Sequence, residues 1–232
     1  MRHAKGTRAE PGDAAGDLPE RSGVLAEDAA ERQALVTAAR EAAAPVVDDL
    51  RRTGFQVERI DDLYQKKLKY PEAIPVLLKW LPIVRNRNAK VQIVWALGVK
   101  WAKPIAAAPL VEAFREDPTS RWEIADALCR VADESVVGDI ISLVMDPDSG
   151  TARQMLTLCL GEIDDPRSIA ALSELLGDDA VSGHAVMAAG KLRAASLRPQ
   201  IEPFLSDGRA WVRSEARKAL ARIEGSERSR SR

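Results

Sequence analysis

The chain has 232 residues, 46% hydrophobic and 30% charged, which suits a globular protein able to bury a substantial core. Its formal net charge of −1 excludes a chain-wide positive field that would attract DNA or an anionic membrane. No uncharged run approaches the ~18 residues that span a bilayer, so no membrane segment is expected. Two cysteines within apolar runs, Cys129 and Cys159, favour buried thiols in a reducing compartment, and the cytoplasm is the expected location.

The two ends of the chain differ in composition from its middle. Residues 1–27 are rich in Arg, Glu, Asp, Gly and Pro, and residues 226–232 are polar, so disordered tails are predicted at both ends. Residues 28–69 are predicted to form an N-terminal helical cap. Its first helix covers 28–52, where Pro45 is expected to kink or divide it, and a second covers 57–67.

Residues 70–225 contain an internal repeat. Five segments begin at Pro71, Pro104, Ser135, Pro166 and Ser196, and each combines a helix, a polar turn and a second helix. The first helices end at the large apolar residues Leu81, Phe114, Val144, Leu176 and Leu205. The second helices share a column at Leu97, Leu128, Leu160, Ala189 and Leu220. Both columns recur about every thirty residues, which is typical of helical-pair solenoids.

The repeat resembles a known family. Short helices, Asp-containing turns and an Arg opening the next helix resemble HEAT repeats, and the segment WVRSEARKALARI from Trp211 carries the resemblance best. It is closest to the short bacterial repeats also seen in phycobilisome lyases. The resemblance covers about two thirds of the chain and implies an all-α solenoid of about five HEAT-like helical hairpins. It implies less about function, because such repeats serve as scaffolds, adaptors and occasionally enzymes.

The resemblance also implies a ladder of polar contacts between neighbouring repeats. In the family, an Asp in each turn and an Arg at the start of each second helix link successive hairpins. The residues at these positions are Arg121, Arg153 and Arg213 with Asp117, Asp146 and Asp207, joined by Lys90 and Asp178. Ser182 takes the place of the basic residue in the fourth repeat, so a break is expected there. A phosphate-binding row of arginines is the alternative interpretation.

The face of the second helices opposite the core is predicted to line the concave side of the solenoid as an apolar groove. The residues assigned to it are Val91, Val94, Trp95, Trp122, Asp126, Leu158, Val186 and Met187. Such a groove favours a non-enzymatic scaffold or adaptor that binds a helix or peptide of another protein. A second copy of the chain, as a homodimer, or the chain's own N-terminal helices are the alternative occupants.

The sequence contains few residues suited to catalysis. It has neither a recognisable metal-ligand spacing nor a nucleotide-binding motif, so no cofactor or metal is expected. His184 near Asp178 and Asp179 could form an acid/base pair, but a histidine that hydrogen-bonds locally at a helix start is the preferred interpretation. The alternative function is a HEAT-like DNA glycosylase or another nucleic-acid-acting enzyme, with Trp122 and Asp126 as candidates. The net charge argues against nucleic acid as a partner.

Overall fold

The computed structural model describes residues 18–230, with side chains described for 30–228. The described chain is an all-α solenoid of five helical hairpins preceded by a helical cap, and no strand occurs between residues 18 and 230. The predicted fold class is therefore confirmed. None of the described helices is both long and apolar enough to cross a membrane.

The N-terminal cap consists of α1 (Leu18–Arg52) and the short α2 (Asp62–Gln65). Of the two effects expected of Pro45, a division of the first helix does not occur, because α1 continues through it. α1 packs against the first hairpin through the buried side chains of Val46, Val47 and Leu50. The helix ends at Arg52, and Gly54 reverses the chain two residues later with a φ of +97°, in the left-handed region that glycine adopts without steric cost.

Each hairpin contains a first helix, a turn and a longer or equal second helix. The first helices are α3 (Ile74–Trp80), α5 (Ala107–Glu116), α7 (Val137–Met145), α9 (Pro166–Leu175) and α11 (Arg198–Ile201). The second helices are α4 (Arg87–Leu97), α6 (Arg121–Val131), α8 (Ala152–Leu160), α10 (Ser182–Leu192) and α12 (Ala210–Arg230). Short 3₁₀ segments connect several of them, at Pro71–Ala73, Lys100–Ala102, Pro118–Ser120, Pro147–Ser149, Ala195–Leu197 and Glu202–Ser206.

The expected tail boundaries fall inside helices of the structure. α1 begins at Leu18 rather than near residue 28, and α12 extends to Arg230 rather than ending near residue 225. Residues 1–17 and 231–232 lie outside the described residues.

An aspartate organises the turn between the two helices in four of the five hairpins. The side chains of Asp117, Asp146, Asp178 and Asp207 each accept a hydrogen bond from the backbone N–H two residues later, at 2.8–3.0 Å. This arrangement satisfies backbone donors that a turn would otherwise leave unpaired. The turns therefore have a defined conformation at the point where each second helix begins.

Neighbouring second helices approach each other very closely. A Cβ atom built on Gly98, Gly161 or Gly190 would lie 3.3, 2.9 or 2.5 Å from the Cβ atom of Ala127, Ala188 or Ala219 on the next second helix. Second helices also contact one another more extensively than first helices do. We infer that the stack curves toward the row of second helices, because the more closely spaced row occupies the inner side of a curve.

Candidate functional site

The exposed surface of α4, α6, α8, α10 and α12 is here named the second-helix face. Trp95 and Trp122 lie on it with 43% and 49% of their surface exposed. Asp126, Leu158 and Met187 are half-buried on successive helices of the same face. Because removing indole, leucine and methionine side chains from water lowers the free energy, this surface suits contact with an apolar ligand.

Three residues assigned to the groove are buried instead. Val94 and Val186 are fully buried and Val91 is 6% exposed. Val94 and Val186 belong to a column with Ala125 and Thr157, all buried where adjacent second helices meet. Val94 and Val186 lie one helical turn before Gly98 and Gly190, where neighbouring second helices approach closely, which accounts for their burial. The assignment of these three valines to an open groove is therefore corrected.

Sequence reasoning missed a cluster at the other end of the face. The rings of His184 and Trp211 lie 5.3 Å apart, and Trp211 is 44% exposed. The Arg209 guanidinium lies 5.9 Å from the Trp211 ring centre. A Cβ on Gly183 would come within 2.3 Å of the indole, so only glycine leaves room for this packing. The repeat alignment contained a signal for this cluster. It places Ser214 of α12 at the position that Gly183 has in α10, and Trp211 lies about one helical turn before Ser214.

His184 has a structural environment rather than that of an acid/base pair. Burial and the nearby Arg209 lower its pKa, which favours the neutral ring. Asp178 instead pairs with Arg153 at 2.5 Å and accepts the backbone N–H of Ala180.

The described side chains of the N-terminal cap contact the first-hairpin end of the second-helix face. Tyr64 meets Trp95 edge-on, with ring centres 6.4 Å apart, and α1 packs against α3 and α4. The half-exposed Trp122 on α6 shows that the described part of the cap does not cover the middle of the face.

Several charged residues bordering the face are paired with opposite charges, although the exposed Arg217 of α12 is in none of the described ion pairs. Asp126 pairs with Arg130 at 2.5 Å, Glu123 with Arg87 at 2.7 Å, and Glu215 with Lys218 at 2.7 Å. Glu162 and Lys191 form a further pair. Such pairing leaves little net local charge, so the face has no strong preference for a polyanion.

A ladder of polar contacts joins consecutive hairpins at the start of the second helices. Lys90 pairs with Asp117 of the next hairpin at 3.1 Å, and these side chains are only 6% and 12% exposed. Arg121 donates to the Asp148 carbonyl at 2.5 Å, and Arg153 contacts Asp178 at 2.5 Å.

The expected break at Ser182 does not occur. The basic residue of this contact comes from the following hairpin rather than from the start of α10. Arg209, from the turn of the fifth hairpin, donates to the Ser182 hydroxyl at 3.0 Å and to the Asp179 carbonyl at 3.1 Å. Arg213 bonds within its own hairpin, to the carbonyls of Asp207 and Gly208. The Asp146 carboxylate likewise accepts a hydrogen bond within its own turn, from the backbone N–H of Asp148. These two residues organise a turn rather than link repeats.

Two of the turn carboxylates have strongly shifted pKa values. Burial alone would raise the pKa of Asp117, but hydrogen bonds from Thr119 and Lys90 outweigh it and hold the pKa at about 2. Hydrogen bonds from Arg209 lower the pKa of Asp207 to about 2. Both groups stay ionised at neutral pH and stabilise the turns.

The middle repeats are similar in sequence to a known family. Residues 107–183 match the family described as HEAT repeats. This match covers α5 to the start of α10, about a third of the chain, and supports the predicted HEAT resemblance at the level of the repeat. No curated protein matches the chain. Between residues 30 and 228, no group of three or more His, Cys, Asp or Glu side chains is placed to hold a metal ion.

Proposed function

We propose that the protein is a non-enzymatic HEAT-like scaffold or adaptor that binds a helix or peptide of another protein on the second-helix face. The half-exposure of Trp122 is the observation that carries this proposal. A partner that covers this large indole removes apolar surface from water, which lowers the free energy of the complex. HEAT repeats commonly mediate protein interactions, which is consistent with it.

The chemistry of the face indicates the kind of partner. Trp95, Trp122 and Trp211 offer rigid aromatic surfaces near both ends of the row of second helices, and Leu158 and Met187 lie between them along the chain. A ligand with apolar side chains on one side and mixed charges at its edges would complement this surface. An amphipathic helix or an extended peptide with apolar anchors has that pattern.

The nucleic-acid alternative has no observation in its favour and is not proposed. Trp122 and Asp126 lie one helical turn apart on α6, but the Asp126 carboxylate is paired with Arg130 rather than available as a base. The paired charges along the face do not supply the row of free cations that phosphate binding requires.

Selection of peptides from a random display library on the full-length protein tests the proposal. The selected peptides are titrated against wild type, Trp122→Glu and Met187→Glu by fluorescence anisotropy. We expect at least roughly tenfold weaker binding to both variants, equivalent to about 1.4 kcal/mol, because each introduces a charge into a desolvated contact. A change at a half-exposed position should move Tm by less than about 2 °C.

Ile105→Glu is the matched control, since Ile105 is 52% exposed but precedes α5, outside the second-helix face. This variant should bind the selected peptides as wild type does. Unchanged affinity for both Trp122→Glu and Met187→Glu would refute the proposal. Concentration-dependent dimers that Trp122→Glu dissolves would instead identify a second copy as the occupant, and tight duplex DNA binding lost in that variant would favour the nucleic-acid alternative.

A further inference from the structure

The junction between the second and third hairpins differs from the other junctions. Elsewhere along the row a glycine on one second helix faces an alanine on the next, as in the pairs Gly98–Ala127, Gly161–Ala188 and Gly190–Ala219. At the junction of α6 and α8, the residue in the glycine column is Cys129 and the residue in the alanine column is Cys159. The repeat register therefore places two thiols opposite each other.

The spacing at this junction suits a disulfide. Cβ atoms at the equivalent positions of the other junctions would lie 2.5–3.3 Å apart, whereas disulfides join Cβ atoms about 3.5–4.5 Å apart. Two cysteines in place of glycine and alanine require slightly wider spacing, so we expect the Cβ atoms of Cys129 and Cys159 to lie close to that range. Both thiols are free, and the neighbouring Cys129 side chain and burial raise the pKa of Cys159.

The two cysteines differ in their access to solvent. Cys159 is fully buried, whereas Cys129 is half-buried, so the expectation of two buried thiols is correct only for Cys159. Cys129 lines an open cavity of 690 Å³ together with the cationic Lys100, Lys103 and Arg130 and the acidic Asp126 and Glu162. Its thiol donates to the Met155 carbonyl at 3.2 Å. A partly exposed thiol that lines an open cavity is accessible to a small oxidant.

We propose that Cys129 and Cys159 are an oxidation site at which a hydroperoxide produces a reversible disulfide between α6 and α8. The Cys129 sulfur attacks the peroxide O–O bond and becomes a sulfenic acid, and the peroxide leaves as an alcohol, or as water when it is hydrogen peroxide. The Cys159 sulfur then displaces the hydroxyl of the sulfenic acid as water and closes the S–S bond. Overall, two thiols and one hydroperoxide give one disulfide, one alcohol and one water.

The site borders the second-helix face. Asp126 precedes Cys129 by one helical turn and lines the same cavity, and Leu158 directly precedes Cys159. A covalent link at this junction would hold α6 and α8 at one spacing. The proposed chemistry does not depend on what binds to the face, so the oxidation test stands independently of the proposed function.

The test uses the full-length chain, reduced, freed of reductant and exposed to hydrogen peroxide. Alkylation under denaturing conditions and intact-mass measurement should show that free thiols fall from two to none and that the monomer loses two hydrogen atoms. Dithiothreitol should restore both thiols, and non-reducing peptide mapping should find Cys129 joined to Cys159 within one chain.

The repeats themselves supply the control variants. Cys159→Ala introduces the residue found at Ala96, Ala127, Ala188 and Ala219 in the same column, and Cys129→Ala follows Ala221. In Cys159→Ala, dimedone should trap a sulfenic acid on Cys129, and in Cys129→Ala, Cys159 should survive peroxide as a thiol. Retention of both thiols in the wild type under excess peroxide would overturn the proposal, and so would a disulfide formed only between two chains.

Discussion

The close approach of α10 and α12 makes Gly190→Ala a sensitive test of the packing. The added Cβ would lie 2.5 Å from the Cβ and 2.6 Å from the Cα of Ala219. Ordinary carbon contacts lie at about 3.5–4.0 Å, so the two helices must separate by about 1 Å. Because the obstructing atoms belong to the backbone or lie next to it, no side-chain rotation can relieve the clash.

The size of the effect follows from two opposing contributions. Overpacking of this kind lowers the free energy of unfolding by about 1–3 kcal/mol, while the higher helix propensity of alanine over glycine raises it by up to about 1 kcal/mol. We therefore expect Gly190→Ala to lower the free energy of unfolding by about 1–2 kcal/mol. The Tm should fall by about 3–6 °C.

Gly138→Ala is the matched control because Gly138 is exposed in α7 and a Cβ there would meet nothing within 4 Å. This change should stabilise the protein by about 0.4–1 kcal/mol through the reduced entropy of the unfolded chain. Urea titrations followed by far-UV circular dichroism measure both variants. If Gly190→Ala were as stable as Gly138→Ala, the proposed close approach of second helices would be refuted.

Three further predictions concern polar groups. In urea titrations, Lys90→Met should lower the free energy of unfolding by about 2–3 kcal/mol, because it leaves the largely buried Asp117 carboxylate without its cationic partner. Lys218→Met, at an exposed pair, should lower it by less than about 0.5 kcal/mol. Equal losses in the two variants would contradict this prediction. The folded-state pKa of Asp117 is about 2 against 3.8 for an ordinary aspartate, so its stabilisation is present above pH 3.8 and is lost as pH falls toward 2. Asp117→Asn should therefore flatten the acid limb of the stability profile, and an unchanged limb would argue otherwise. Ser168→Ala should leave Tm unchanged or raise it, because the buried Ser168 hydroxyl has no partner among the described residues; a clear fall in Tm would show that the hydroxyl is satisfied.

The exposed tryptophans contribute differently to the packing of the fold. Trp211 fills the space above Gly183 and contacts His184, so changing it would disturb the junction between α10 and α12. Trp122 is the most exposed of the three indoles on the second-helix face. A change at Trp122 therefore separates binding from folding more cleanly than a change at Trp211.

The sequence by itself determined the hairpins. Helical periodicity predicted the second helices, and Asp-containing turns marked their starts, as at Asp117 and Asp178. These features are local: a side chain caps a turn a few residues away, and apolar spacing along one helix defines its buried side. For the same reason the HEAT resemblance can be recognised from short stretches of sequence, and the matched family covers the middle repeats.

Only the tertiary structure decided which outward positions remain exposed. Val94 and Val186 directly precede Trp95 and Met187 along their helices, but the close approach of neighbouring helices buries the valines and leaves Trp95 and Met187 at least partly exposed. The reversed contact between Arg209 and Ser182 and the pairing of Cys129 with Cys159 also join residues about thirty positions apart. Periodicity along one helix fixes the direction of a side chain but not the distance to the next helix, and that distance decides whether a position is a contact or a surface.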